Sequence, residues 1–427
     1  VNTQQRQHIA VIGAGISGLA CAHFLARGHN ITLFEAGDYL GGHAHTVDIT
    51  VGGVRFAVDT GFLVYNDRTY PKLIALFAEL GIVSHPSDMS FSVSLDQGKL
   101  EWAGSNLDTV FAQRRNLLSP GFWGMLADIV RFNRAAPRNL KRAVESPLTL
   151  GQLLETDRYG ARFRDHYLLP MAAAIWSSPC RDILSFPAET FLRFSLNHGL
   201  LQLSDRPQWR TVRDGARQYV EKIAAGLNDI RLSTPVLRVS RENGRVRVQT
   251  AHGEACFDSV VFATHAPQTL ALLADADERE RSLLSAVRYQ ANEAVLHSDV
   301  SLLPRSPRAW AAWNFLADGK DDGRAVGVSY LLNRLQPLPV DTPVMVTLNP
   351  TQEPDPAKVL GRYHYEHPLL DNAAIAAQKA LSEIQGRRGC WFTGAWTGYG
   401  FHEDGLKSAL RVAQDFGLAP AWARLPT

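Results

Sequence analysis

Cysteine is scarce in this chain, with four in 427 residues, at Cys21, Cys180, Cys256 and Cys390. They are too scattered for a disulfide framework or a CxxC metal clamp, so a reducing, cytoplasmic setting is the expectation. An excess of one charge is also missing. Lys and Arg total 44 against 42 Asp and Glu, a formal net charge of +2, which gives no case for nucleic-acid binding and its usual strong basic surplus. No uninterrupted apolar run reaches the ~20 residues that span a bilayer, so at most a contact with the membrane surface is expected. Repeats, low-complexity tracts and obvious linkers are absent. The composition, 45% hydrophobic and 20% charged, is that of an ordinary globular chain with material for two domains.

The most informative stretch is HIAVIGAGISGLACAHFLARGHNITLFEA, residues 8 to 36. Residues 8 to 12 read as a short buried strand, and Gly13, Gly15 and Gly18 follow as GxGxxG. In a strand-to-helix turn the first glycine permits the tight bend, and the second lets a pyrophosphate approach the backbone. The third lets the helix pack closely on the strand. Leu19, Ala22 and Leu25 supply an apolar helical face, Gly28 ends the helix, and Ile31 to Phe34 reads as the second strand. Glu35 closes that strand, where an acid accepts a hydrogen bond from an adenosine ribose and disfavours a 2′-phosphate, hence NADP.

This fingerprint alone does not separate NAD from FAD. Two further stretches do. GGHAHT, 41 to 46, follows Glu35 closely enough to double back toward the pyrophosphate. CWFTGAWTGYGFHEDGLKSAL, 390 to 410, reads as an aromatic-rich strand, a glycine turn and a helix with Leu406, Leu410 and Val412 on its apolar face. A plain NAD domain has no need of so remote a segment. A long cofactor with a second reactive end does, because a helix N-terminus aimed at an isoalloxazine stabilises the negative charge that develops on reduction.

Together, VIGAGISGLACAHFLARGHNITLFEA, LGGHAHTVD and FTGAWTGYGFHEDGLKSAL resemble the flavin-containing amine oxidase and phytoene desaturase superfamily. The likeness is strongest to its bacterial NAD/FAD-binding branch, which is similar to the oxidase-like domain joined to cyclopropane fatty acid synthase. VDTGFLVYNDRTYP, SDMSFSV, LNHGLL, RPQWRTV and YHYEHPLLD extend the resemblance over most of the chain. It implies an α/β fold, with a Rossmann-like FAD-binding domain formed by 1–66, 206–280 and 385–427. An α+β substrate domain, 67–205 and 281–384, is inserted into it.

For the cofactor, the resemblance implies contacts from Gly13, Ala14, Gly15, Ser17, Gly18, Glu35, Ala36, Gly42, His43, Thr60 and Gly61. It adds Val236, whose backbone meets the adenine, and Gly394, Trp396 and Glu403 from the C-terminal segment. The sequence around Val236 reads as a hairpin, with Val236, Val239, Val246 and Val248 alternating about an Asn243-Gly244 turn. DSVVFATHAP, 258 to 267, reads as a buried strand returning to the nucleotide domain.

Three departures from the family pattern bear on function. His43 replaces the arginine that many relatives place after the double glycine, and Ala395 replaces an acid. His402 is read as holding the place of the aromatic residue just before the final helix, which argues against an amine substrate. His43 and His45 have an H-x-H spacing, but no third ligand completes a metal set, so no metal is expected. His43 is read as a cofactor contact and His45 as structural.

The expected activity is FAD-dependent oxidation, of oxidase, dehydrogenase or desaturase type, on an apolar or lipid acyl substrate. Tyr65, Tyr399 and His402 are the candidates for shaping the flavin face, with His402 the potential acid or base. The alternatives are a flavin amine oxidase, a non-catalytic lipid carrier on the same fold and a NAD-dependent dehydrogenase; the intact glycines, Glu35 and the C-terminal segment argue against the carrier, and the C-terminal segment argues against the dehydrogenase. Residues 121 to 142 begin as an amphipathic helix, with Phe122, Met125, Leu126, Ile129 and Val130 at helical spacing. The segment ends with Arg131, Arg134, Arg138, Lys141 and Arg142. That is either a solvated tail or a membrane-surface contact. Trp176, Trp209, Trp310 and Trp313 are expected in the core.

Overall fold

The structure is a computed structural model, which describes residues 6–176, 180–202, 206–317 and 327–424. Its organising element is a five-stranded parallel sheet. The strand order is Asp229–Arg231, Asn30–Phe34, His8–Ile12, Ser259–Phe262 and Cys390–Phe392. His8–Ile12 lies at the centre, with Ile9 opposite Ile31 on one side and Ser259 on the other. Side chains alternate across a strand, so Ile9 and Val11 enter one core while Ala10 and Ile12 enter another. A sheet covered on both faces needs apolar residues at both parities, which explains the unbroken IAVI.

The first core is closed by the helices Ile16–Leu25 and His402–Asp415. Every residue of Ile16–Leu25 except His23 is buried, so the single apolar face expected from Leu19, Ala22 and Leu25 is in fact the whole circumference. The helix Pro71–Leu80, assigned from sequence to the substrate domain, also packs into this core through Leu73, Leu76 and Phe77. The second core is covered by the antiparallel sheet Val236–Glu242, Arg245–Thr250 and Gly253–Phe257. Its first turn places Asn243 at φ 52° and Gly244 at φ 75°, the pair of left-handed residues that a two-residue hairpin requires.

The inserted region is built on a seven-stranded mixed sheet. Its order is Val359–Pro368, Tyr289–His297, Met345–Leu348, Gly327–Leu331, Trp313–Ala317, Phe91–Leu95 and Leu100–Ala103. The single parallel pairing joins Trp313–Ala317 to Phe91–Leu95. The helices Pro120–Glu145, Leu169–Trp176 and Ala188–Asn197 share its core.

Asp59 ties the two regions together. Its buried carboxylate accepts hydrogen bonds from Thr46 Oγ1 at 2.5 Å, Ala216 N at 2.9 Å and Gln336 Nε2 at 2.8 Å. Burial pushes its pKa up to about 6 against the pull of these donors.

The sequence expected the basic end of residues 121–142 to be a solvated tail or a lipid contact. Two of its arginines bond within the protein, while Arg134, Arg138 and Lys141 are exposed. Arg131 donates to Asp128 and to the carbonyls of Asp157 and Arg158, and lies 3.9 Å from the Tyr159 ring centroid. Arg142 makes a two-point pair with Asp157, 2.9 Å at each oxygen.

Candidate active site

Both domains line one cavity of about 690 Å³. Its floor is the strand-to-helix turn after Ile12. Gly13 sits at φ +100°, and a Cβ there would lie 2.9 Å from the Ala263 carbonyl oxygen. A Cβ on Gly18 would lie 1.8 Å from the Gly13 carbonyl oxygen, so the third glycine is needed for helix packing and does not itself line the cavity. Gly15 differs from both, because a Cβ there would meet nothing within 4 Å and would project into open space. No side chain caps the helix that starts at Ile16, and its first turn carries no acid. The turn therefore offers unclaimed amides and the positive end of a helix dipole to an anion.

GGHAHT doubles back onto this turn. Gly41 N donates to Ala14 O at 2.9 Å, and a Cβ on Gly42 would lie 3.2 Å from the Gly15 Cα. Glu35 lines the cavity beside Ala36, its carboxylate oxygens accepting from Ala14 N at 2.7 Å and Gly37 N at 2.8 Å. Ala14, Ser17, Thr60, Gly61 and Val236 also stand on the wall, as do Gly394 and Trp396. Gly61 has to be bare, since its Cβ would lie 2.3 Å from the His43 carbonyl oxygen. A long cradle with a bare Gly15 and uncapped amides fits a dinucleotide cofactor. FAD would be held by the backbone of 13–17, Glu35, the 42–43 and 60–61 turns, Val236 and the 394–396 loop.

The two histidines of GGHAHT diverge. His43 reaches the cavity, with its ring centroid 5.0 Å from Tyr365 and 5.3 Å from His367, and its buried Nε2 has no partner. Burial, helped by neighbouring histidines, holds its pKa well below the usual histidine value, so it is neutral. His45 stacks on Tyr39 at 4.1 Å, and its Nδ1 lies 3.1 Å from Tyr365 Oη. That hydroxyl also bonds Thr60 Oγ1 at 2.7 Å. Tyr365 and His367 were quoted from sequence as part of YHYEHPLLD without a role. Their signal was the alternation of Tyr363, Tyr365 and His367 on one face of a strand.

Besides Gly18, three expected site residues require correction. Tyr65 does not line the cavity; it is buried in the first core, with its ring 6.2 Å from Tyr70 and 5.3 Å from Phe77. Glu403 does not line the cavity either. Its carboxylate accepts from Lys72 N at 3.0 Å and Leu73 N at 2.9 Å, capping the helix Pro71–Leu80 from a distant part of the chain.

The third correction concerns the residue before the final helix. That helix begins at His402, and the position just before it belongs to Phe401, which stacks on Phe194 at 5.1 Å. An aromatic side chain thus stands next to His402 at this helix end. His402 does line the cavity, but its ring stacks on Phe62 at 3.6 Å and its Nε2 lies 3.0 Å from Tyr219 Oη. Burial pushes its pKa down to about 3, so the ring is neutral, and of the acid or base role expected of it the acid role does not fit.

Tyr399 lines the cavity as expected, 5.6 Å from Phe194. Three of the four tryptophans assigned to the core, Trp176, Trp209 and Trp313, also line it. Trp310 packs on a small separate cluster. Thr264 and His265, at the end of the strand Ser259–Phe262, are further wall residues that sequence reading passed over. His265 bonds Glu366 at 2.9 Å and stacks on Tyr289 at 4.2 Å.

Residues 16–292 match the family described as flavin containing amine oxidoreductase. Over 45 residues the chain is 47% identical to an L-amino-acid oxidase of Notechis scutatus scutatus, a match spanning 10% of this chain and 9% of that protein. Among solved structures, an Exiguobacterium sp. 255-15 protein assigned as a protoporphyrinogen oxidase superposes with a TM-score of 0.69 at 19% identity, covering 98% of this chain and 100% of its own. A conjugated-linoleic-acid-producing fatty acid isomerase from P. acnes gives 0.64 at 17% identity over 97% and 99%. Cyclohexylamine oxidase from Brevibacterium oxydans IH-35A gives 0.67 at 16% over 97% and 100%. At these identities the superpositions establish the fold, and the family match extends to the cofactor. The chain belongs to the flavin-containing amine oxidoreductase family and is an FAD-dependent oxidoreductase on the amine-oxidase fold.

Proposed function

We propose that the protein oxidises an apolar substrate, such as an acyl chain, at a C–H bond held within the cavity. The observation that carries this reading is the lining beyond the nucleotide cradle. Met89, Ile175, Leu200, Trp313, Leu348 and Phe401 stand there, and among the described residues the only acidic or basic side chains on the lining besides histidines are Glu35, at the nucleotide turn, and Glu366, paired with His265. A carboxylate buried against the apolar walls would lack a countercharge, and an ammonium would find one only beside Glu366, so a charge held elsewhere costs several kcal/mol. An apolar chain is favoured by about 25 cal/mol per Å² of surface it removes from water.

When bound, FAD supplies the hydride acceptor. The chain's own residues orient the substrate and exclude water. Phe194, Tyr399 and Phe401 form an aromatic wall, and the neutral His402 closes the cavity beside Phe62. Phe401 also supports a second reading, a small uncharged amine against that aromatic wall.

Anaerobic mixing of the FAD-loaded protein with acyl compounds of increasing chain length, and with putrescine and cyclohexylamine, separates the two readings. Loss of visible flavin absorbance should occur with the acyl series, faster as the chain lengthens, and not with the amines. Bleaching by the amines alone would overturn the proposal.

A further inference from the structure

Among the described residues the most exposed large apolar side chains fall together. Leu107 is 77% exposed and Leu118 88%, and between and beside them Leu117 and Trp123 are about half exposed. They occupy one tip of the inserted domain, made of the short helix Leu107–Val110, the turn Arg114–Leu118 and the first turn of Pro120–Glu145. Arg114 locks the first two together by bonding the carboxylate of Asp108 and, at 3.0 Å, the carbonyl of Phe111. Trp123 is fixed by its ring contact with Phe111 at 5.2 Å, and its Nε1 donates to Leu117 O at 3.0 Å. With its only polar atom satisfied internally, the indole shows an apolar edge to the outside. Ser119 caps the long helix and Pro120 starts it, so Leu117 and Leu118 are held outward by a rigid base.

Contiguous apolar surface of this kind is unusual on a soluble face, and here it has a basic collar. Exposed Arg114, Arg115 and Arg308 surround the tip, with Lys99 and Arg162. Arg115 donates to the Lys99 carbonyl, Arg162 reaches Ser119 Oγ at 3.3 Å, and Arg308 acts on Asp108. Asp108 is already paired with Arg114.

We propose that this tip docks the protein on an anionic lipid surface, with Leu107, Leu117, Leu118 and Trp123 entering the headgroup region and the collar meeting lipid charge. Apolar insertion combined with basic attraction is the arrangement that holds a protein on a bilayer without spanning it. No helix among the described residues is long and apolar enough to cross a membrane. The proposal relocates the lipid contact from the basic end of residues 121–142 to the opposite end of that helix, and it stands whatever the substrate.

The test is co-sedimentation of the FAD-loaded protein with vesicles of phosphatidylglycerol and phosphatidylcholine, or of phosphatidylcholine alone. Binding should require the anionic lipid and weaken with salt. Leu118→Asp should reduce it at least tenfold, and Arg308→Glu more than the roughly fivefold expected for removing one charge. Leu237→Asp, at an exposed leucine on the far antiparallel sheet, should bind like the parent. Flavin absorbance and thermal unfolding check that each variant folds. Equal binding to both vesicle types, or to neither, would overturn the proposal, as would a dimer in light scattering that Leu118→Asp dissociates, since the tip would then meet a second copy.

Discussion

Replacing Gly15 and Gly18 in turn separates two roles that the glycine motif confounds. Gly15 has φ −69° and ψ −179°, extended backbone that any residue adopts, and its Cβ would touch nothing within 4 Å. Gly15→Val should therefore leave the cofactor-free protein within about 0.5 kcal/mol of the parent. The valine fills the space where a pyrophosphate approaches the amides. Each hydrogen bond to a charged group is worth about 1.5–3 kcal/mol, so losing two weakens FAD by about 3–6 kcal/mol, roughly 10²- to 10⁴-fold. Gly18→Val should do the opposite, because a Cβ 1.8 Å from a carbonyl oxygen forces the helix off the sheet and prevents folding. Thermal unfolding of cofactor-stripped protein and fluorescence-quenching titration with FAD read the two effects separately. A Gly15→Val protein that binds FAD like the parent, or that unfolds without cofactor, would refute the reasoning.

His402→Phe should retain flavin and leave the pH profile of its reduction unchanged between pH 5 and 9, whereas loss of an ionisation in that range would restore His402 as a proton carrier. Stability should fall as pH drops from about 6.5, because burial pushes His198, His297 and His367 down to about 4 and His402 to about 3. Their folded pKa values lie below the unfolded one, so the stabilisation is complete above pH 6.5 and is lost toward the folded values; denaturant midpoints that are flat over that range would contradict this. Glu403→Ala should lower stability by about 1–2 kcal/mol through loss of the cap on Pro71–Leu80 while the flavin spectrum stays as in the parent, and release of FAD would return Glu403 to the cofactor.

The nucleotide end was legible because its glycines answer local backbone demands. Gly13 needs a positive φ, Gly18 needs a bare Cα, and Glu35 closes a strand whose apolar run marks it as buried. The C-terminal segment was legible by its chemistry, but the aromatic wall that Phe401 forms with Phe194 beside His402 was not, because Phe194 lies far off in the chain. Glu403 was misread because what it caps lies 330 residues away at Leu73, and no local pattern records such a partner. Tyr65 was misassigned for a related reason; the tryptophans do pack in or against the cores as expected, but the cavity face of Trp176, Trp209 and Trp313 was missed. An aromatic residue looks the same in sequence whether it faces a core or a cavity, and only the packing of both domains decides which.

The central sheet imposes an order on biosynthesis. The strand His8–Ile12 leaves the ribosome early, but its neighbour Ser259–Phe262 comes much later, and the strand Cys390–Phe392 with the helix His402–Asp415 later still. Until those segments emerge, Ile9, Val11 and Leu19 have only part of their final cover, and the 394–396 wall of the cavity does not exist. From the synthesis of His8–Ile12 until that of Cys390–Phe392 a nascent chain thus carries a half-built sheet, whose uncovered apolar faces are an aggregation hazard. Complete enclosure of the cofactor therefore waits until the segment 390–415 has been made.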